Sequence, residues 1–146
     1  MVFRTPPHAV LDFVADDADV GRVRQALVPI FDQFSVDLVI GGHDHGYERS
    51  KPLRGPAENP MVESSSSMGT IYVVSAGAGA DPHSPGSDRA PYREMSAAFG
   101  GSTGYAGLCT LLRLDGTTPT VTTHGLEASS SNVLADGVID SFTATR

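Results

Sequence analysis

Cysteine, positive charge and long apolar runs are scarce in this sequence, and each shortage excludes something. The chain of 146 residues holds one cysteine, Cys109, so no internal disulfide can form. Cys109 lies in the strand-like run Gly107-Leu108-Cys109-Thr110-Leu111-Leu112, where a small buried hydrophobe is the expected role rather than a nucleophile. Lys and Arg number 10 against 17 Asp and Glu, a formal charge of −7. A general nucleic-acid binder carries a basic face, so no nucleic-acid partner is expected. An anionic substrate would have to be drawn in locally, by metal ions or arginines, against the field of the whole molecule. No apolar run reaches the length of about 18 residues that a transmembrane helix needs, and no membrane partner is expected. No Asn-x-Ser/Thr acceptor exists, since Asn59 precedes Pro60 and Asn132 precedes Val133-Leu134. Met1-Val2-Phe3-Arg4-Thr5-Pro6 lacks a basic segment followed by an apolar core, so no signal peptide is visible. Internal repeats are absent.

What is present is the composition of a globular chain, 40% hydrophobic and 18% charged. The length points to one domain over residues 1–146, and 16 Gly with 10 Pro point to long loops. Met1 to Phe3 look like the end of a strand already under way, which implies an incomplete fold. Asp16, Asp17 and Asp19 precede a helical pattern, with Asp19 the expected N-cap. Val20, Val23, Ala26, Leu27, Ile30, Phe31 and Phe34 recur at helical spacing and predict one apolar face. Pro29 within it predicts a kink or a restart. Val36 to Gly41 reads as a buried strand, followed by the punctuating pair Gly41-Gly42. Residues 54 to 69, with the run Ser64 to Ser67, read as a surface loop. Ile71 to Ala76 is the next strand. Residues 77 to 104 show no clear periodicity, and a loop of that length is functional or mobile. The last third reads as β: Leu108 to Leu114, an Asp115-Gly116 turn, Thr120 to His124, and Val138 to Thr143. The expected class is mixed α/β (α+β), β-rich towards the C-terminus.

The stretch around which the chain is organised is Val36-Asp37-Leu38-Val39-Ile40-Gly41-Gly42-His43-Asp44-His45-Gly46-Tyr47-Glu48-Arg49-Ser50. In open α/β sheets ligands sit at the carboxyl ends of strands, where His43 and His45 fall. In extended backbone, residues two apart share a side, so both imidazoles would point one way and Asp44 the other. Neutral imidazole is the commonest protein ligand for transition metals. Two on one turn can serve one metal or bridge a pair, and a metal pair about 3.5–4 Å apart is suited to phosphate-ester hydrolysis. Of the remaining polar residues, His83 reads as a solvated loop residue and His124 as an exposed strand position. Glu48 and Arg49 suit a local ion pair, with Arg49 alternatively facing a phosphate.

This block resembles the Gly-His-x-His block of the metallophosphoesterases, the calcineurin-like superfamily, and specifically its purple acid phosphatase branch, in which Tyr-Glu-Arg typically follows. Residues 1–8 resemble that family's strand followed by His-x-Pro. Gly69 to Ala80 resembles its next strand and Gly-rich loop. Gly104-Tyr105 and Asp136-Gly137-Val138-Ile139-Asp140-Ser141-Phe142 resemble its final hairpin region. The resemblance implies a partial β-sandwich flanked by helices, the C-terminal part of a catalytic domain. It implies hydrolysis of phosphate monoesters, with His43 binding one metal and His45 the other in a catalytic, dinuclear Fe, Zn or Mn centre of divalent or trivalent ions. Family members are often exported.

The chain also departs from the family. Asp-x-Asp, Gly-Asp-x-x-Tyr and Gly-Asn-His do not occur here. Arg4 stands where the family has a metal-binding histidine, and a guanidinium cannot ligate a metal; His8, four residues on, is the nearest substitute. A second reading follows: a truncated, non-catalytic remnant or pseudo-phosphatase that binds metal weakly or pairs with a partner. Strand edges left open would then favour self-association. A third reading is a β-rich binding module with a chance His-x-His.

Overall fold

The computed structural model describes residues 18–42, 45–75, 92–97, 105–127 and 135–144. The elements run α1 (Ala18–Gln33), β1 (Leu38–Gly41), β2 (Tyr47–Ser50), β3 (Leu53–Arg54), β4 (Met61–Val62), β5 (Ile71–Ser75), β6 (Arg93–Ala97), β7 (Tyr105–Asp115), β8 (Thr118–Glu127) and β9 (Ala135–Thr143). One helix with mostly strands is the mixed α+β class expected from the sequence. The expected strand end at residues 1–3 and the acids Asp16 and Asp17 lie outside the described residues.

Two sheets and the helix form three layers. The first sheet has the order β1-β5-β2-β6, and the second the order β7-β8-β9. β1 runs parallel to β5, with Val39 opposite Tyr72 and Gly41 opposite Val74. β2 runs antiparallel to both β5 and β6. Alternation along the strands sorts the side chains into two cores. On one face Val39, Tyr72 and Val74 meet Val28, Phe31 and Val36 from the helix and its exit, joined by Leu53, Ala57 and Tyr92. On the other, Tyr47, Ile71, Val73, Leu38, Ile40 and Met95 meet Leu108, Ile139, Phe142 and Ala144 of the second sheet's side. A strand with both faces buried reads as an unbroken apolar run. That is the pattern of β5, in which Ile71, Tyr72, Val73 and Val74 are all at most 4% exposed.

The helix departs from expectation in three ways. Asp19 lies within it rather than capping it. The helix continues through Pro29, which faces solvent, so the carbonyl deprived of its partner is on the wet side. The apolar face is turned. Val28 and Phe31 reach the sheet, whereas Val23, Ile30 and Phe34 are 39%, 46% and 68% exposed. The apolar arc is wider than the four-stranded sheet covers.

The helix ends in a Schellman motif. Val36 N donates to Phe31 O, Ser35 N donates to Asp32 O, and Ser35 takes a φ of 48°. Val36 and Phe31 then pack in the same core, which aims the chain into β1. Asp32 fixes the end from outside by accepting a hydrogen bond from Gly55 N at 2.8 Å.

Residues 53–62 form the short β3–β4 ribbon, with Ala57 in its loop buried. They are therefore less of a free surface loop than expected. Leu53 and Thr70 exchange backbone hydrogen bonds of 2.9 and 2.8 Å, and Thr70 Oγ1 donates to Val36 O. This approach leaves no space at Gly69, where a Cβ would lie 2.8 Å from Leu53 O and 2.9 Å from Leu53 N. Gly21, within the helix, would meet nothing within 4 Å. Gly69→Ala is expected to cost about 2 kcal/mol by forcing backbone apart. Gly21→Ala is expected to stabilise by about 0.5–1 kcal/mol. Urea denaturation of the two variants beside the parent gives opposite signs if the packing at Gly69 is as described.

Candidate functional site

The exit of β1, the end of β5 and the start of β2 meet at one end of the first sheet. Gly41 is opposite Val74, and Tyr47 is opposite Ser75. β1 thus ends, and β2 begins, at the carboxyl end of β5, one strand on either side of it. His45 is half-buried in the segment between them. His43 and Asp44 lie outside the described residues, as do Arg4, His8 and His83. Among the described residues no group of three or more His, Cys, Asp and Glu converges as a metal site would require.

At the end of β5, where Ser75 is opposite Tyr47, the sandwich interior is polar. Ser75 Oγ and Thr110 Oγ1 are 2.7 Å apart, and Thr110 Oγ1 and Thr123 Oγ1 are 2.8 Å apart. These hydroxyls carry hydrogen bonds from the first sheet across to β7 and β8. Beside them Tyr47, wholly buried, donates its hydroxyl to Asp140 Oδ2 at 2.7 Å. Arg49 adds a two-point contact, Nε to Oδ2 at 2.6 Å and Nη2 to Oδ1 at 3.1 Å. Its guanidinium also lies 4.6 Å from the centre of the Phe142 ring. Tyr47 and Arg49 are two apart on β2 and point into the sandwich. Glu48, between them, points to the other face and pairs with Arg93 at 2.9 Å. The expected Glu48–Arg49 pair is therefore absent, because neighbours on a strand face opposite ways.

The electrostatics follow from this geometry. Burial, then the hydrogen bond to Asp140 and its charge, push the Tyr47 hydroxyl well above its ordinary range; Thr123 and Arg49 act against the shift. Burial pushes the Asp140 carboxyl up, but hydrogen bonds from Arg49 and Tyr47 together with the Arg49 charge bring it below the usual carboxylate range. Burial opposes the Arg49 charge, and Asp140 outweighs it, leaving Arg49 more firmly protonated than usual. Arg49 is therefore already neutralised and does not face the histidine turn as a free phosphate contact.

A cavity of about 340 Å3 opens at the other end of β2, lined by Arg49, Lys51, Glu63, Glu94 and Phe142 among others. It is separated from the His45 end by the length of a four-residue strand, roughly 13 Å. With Arg49 already paired to Asp140, Lys51 stands there with two carboxylates, Glu63 and Glu94, so the charge of the cavity does not select an anion.

Two further expectations change. Cys109, taken as a buried hydrophobe, is exposed; it sits on the outer face of β7, opposite His124. His124 is half-buried rather than exposed. Asp140 was legible only as part of a strand. Its only sequence signal is an acid at an inward position between Val138 and Phe142.

No family model matches the chain. Two proteins of Mycobacterium tuberculosis are similar to it: the uncharacterized protein MT2654 of strain CDC 1551 / Oshkosh and the uncharacterized protein Rv2577 of strain ATCC 25618 / H37Rv. Each is 41% identical over 85 residues, a match covering 49% of this chain and 16% of the relative. The chain thus matches about a sixth of the length of these relatives, and neither name states an activity.

Removing Asp140 leaves a buried guanidinium and a buried hydroxyl without their acceptor. Asp140→Ala is expected to cost about 3 kcal/mol, and Tyr47→Phe, which leaves the ion pair, about 1.5 kcal/mol. Because the native Asp140 carboxyl titrates below its unfolded counterpart, its stabilisation is complete above about pH 4. It is lost as the pH falls through the lower native value. Chemical denaturation across the acid range checks this: the parent loses stability there, and Asp140→Asn flattens that part of the loss.

Proposed function

We propose that this chain carries metal ligands of a metal-dependent hydrolase of phosphate monoesters, resembling the purple acid phosphatase branch of the metallophosphoesterases. His43 and His45 are the ligands and the catalytic residues. The observation that carries this reading is that β1 runs parallel to β5, and that Gly42 and the His-x-His motif follow it in sequence from the carboxyl end of that pair, where open sheets place their chemistry.

The donor set fits in kind but not in number. A half-buried imidazole at His45 suits Fe, Zn or Mn. Among the described residues no group of three or more His, Cys, Asp and Glu gathers around it, so no reaction step is assigned to a metal here. A bound metal pair of the type the resemblance implies would activate water and polarise the phosphoryl oxygens. The protein's own contribution is narrower. The Ser75–Thr110–Thr123 hydroxyls and the Tyr47–Asp140–Arg49 cluster tie the first sheet to the second through β5 and through β2, the strand that follows His45.

The same count of donors supports a second reading, a non-catalytic remnant that binds metal weakly or pairs with a partner. Loading the purified chain with Zn, Fe or Mn, measuring metal per chain by elemental analysis and assaying a chromogenic phosphate monoester separates the two. The hydrolase reading expects two metals per chain and turnover, both lost in His43→Ala and His45→Ala. One metal or none without turnover favours the remnant. Turnover or metal content unchanged by the two substitutions together removes the histidines from either role.

A further inference from the structure

We propose that Ser75 sets the polarity of the carboxyl end of β5. A one-way row of hydroxyls, running from Ser75 to Asp140, holds its Oγ as a hydrogen-bond acceptor, so a ligand that meets it must bring an O–H or N–H donor. The inference goes beyond the hydrolase reading and holds whether or not that ligand includes a metal. The row links both sheets. Ser75 Oγ lies 2.7 Å from Thr110 Oγ1, which lies 2.8 Å from Thr123 Oγ1. Thr123 hydrogen-bonds in turn to the Tyr47 oxygen, and Tyr47 donates to Asp140 Oδ2 at 2.7 Å. The path thus crosses from β5 to β7 and β8, returns to β2 and ends on β9.

A distance between two hydroxyls does not say which one donates, but the number of protons does. Each hydroxyl carries one. Asp140, held as a carboxylate by Arg49, can only accept, so the Tyr47 proton is committed to it. The contact between Thr123 and Tyr47 then uses the Thr123 proton. Thr123 has none left for Thr110, so Thr110 donates to Thr123 and Ser75 donates to Thr110. The reverse direction would set oxygen lone pairs against each other between Thr123 and Tyr47. Both side chains are wholly buried, where an unmade hydrogen bond is costly.

Ser75 is the outer end of this row. It is partly exposed and closes β5 opposite Tyr47, at the end of the sheet from which the His-x-His motif follows in sequence. Its proton is directed inward, so its oxygen can only accept from outside. Donation in one direction polarises each bond in turn, which strengthens that oxygen as an acceptor. A water, an imidazole N–H or a protonated phosphate oxygen suits it. A fully ionised phosphate oxygen, which brings no proton, does not.

Neutron diffraction from deuterium-exchanged crystals of the 146-residue chain, with solvent water as the probe, reads the direction. The parent is expected to carry deuterium on Ser75 Oγ aimed at Thr110, and on Thr110 Oγ1 aimed at Thr123. A water deuterium is expected to point at Ser75 Oγ from outside. Thr123→Val removes the link to Tyr47. In that variant Thr110 is expected to turn and donate to Ser75, which then donates outward. A parent row that runs the other way overturns the proposal. So does a parent in which nothing donates to Ser75 Oγ, or a Thr123→Val variant that keeps the parent's direction.

Discussion

One carboxylate holds the two sheets in their relative position. Asp140 projects inward from β9 and accepts from Tyr47 and Arg49, both on β2. Apolar packing between sheets is non-directional and tolerates sliding, whereas a two-point guanidinium contact with a third donor does not. The cluster is expensive to bury and weak evidence of net stability in itself. Its contribution is to make one placement of β9 over β2 much better than its neighbours. The Arg49 side chain covers Phe142, so the ionic contact and the apolar core share residues.

That dependence also explains what could be read in advance. β5 was plain from Ile71-Tyr72-Val73-Val74, because a strand buried on both faces leaves no polar interruption. The β7–β8 hairpin was plain from two strand-like runs on either side of the Asp115-Gly116 turn. β2 was not, although it lies between β5 and β6. Tyr-Glu-Arg-Ser offers no apolar run, and its two central charges are satisfied by partners 45 and 91 positions away, Arg93 for Glu48 and Asp140 for Arg49. β6 was hidden for the same reason, as Arg93 and Glu94 become strand residues only through pairing with β2. The direction of the helix face also escaped, since periodicity shows that an apolar arc exists but not which part the sheet covers. The histidine turn was visible because glycines and histidines at a strand end form a local pattern that needs no distant partner.

Helix exit and β1 are linked by fixed geometry. Ser35 in the left-handed region closes the helix, Val36 packs back on Phe31, and the chain enters β1 with Thr70 bound to Val36 O. The four residues of β1 then lie beside β5 in fixed parallel register.

The difference in length between the sheets has a kinetic consequence. β5 shares its amides with β1 and β2, and both its faces are covered, so its amide protons should exchange with solvent only when the whole domain opens. The outer half of the β7–β8 hairpin overhangs the first sheet, with one face of β7 uncovered. Its amides should exchange through local fraying at a small fraction of the global free energy. The molecule thus divides into a slow-exchanging block around β5 and a hairpin tip that opens on its own.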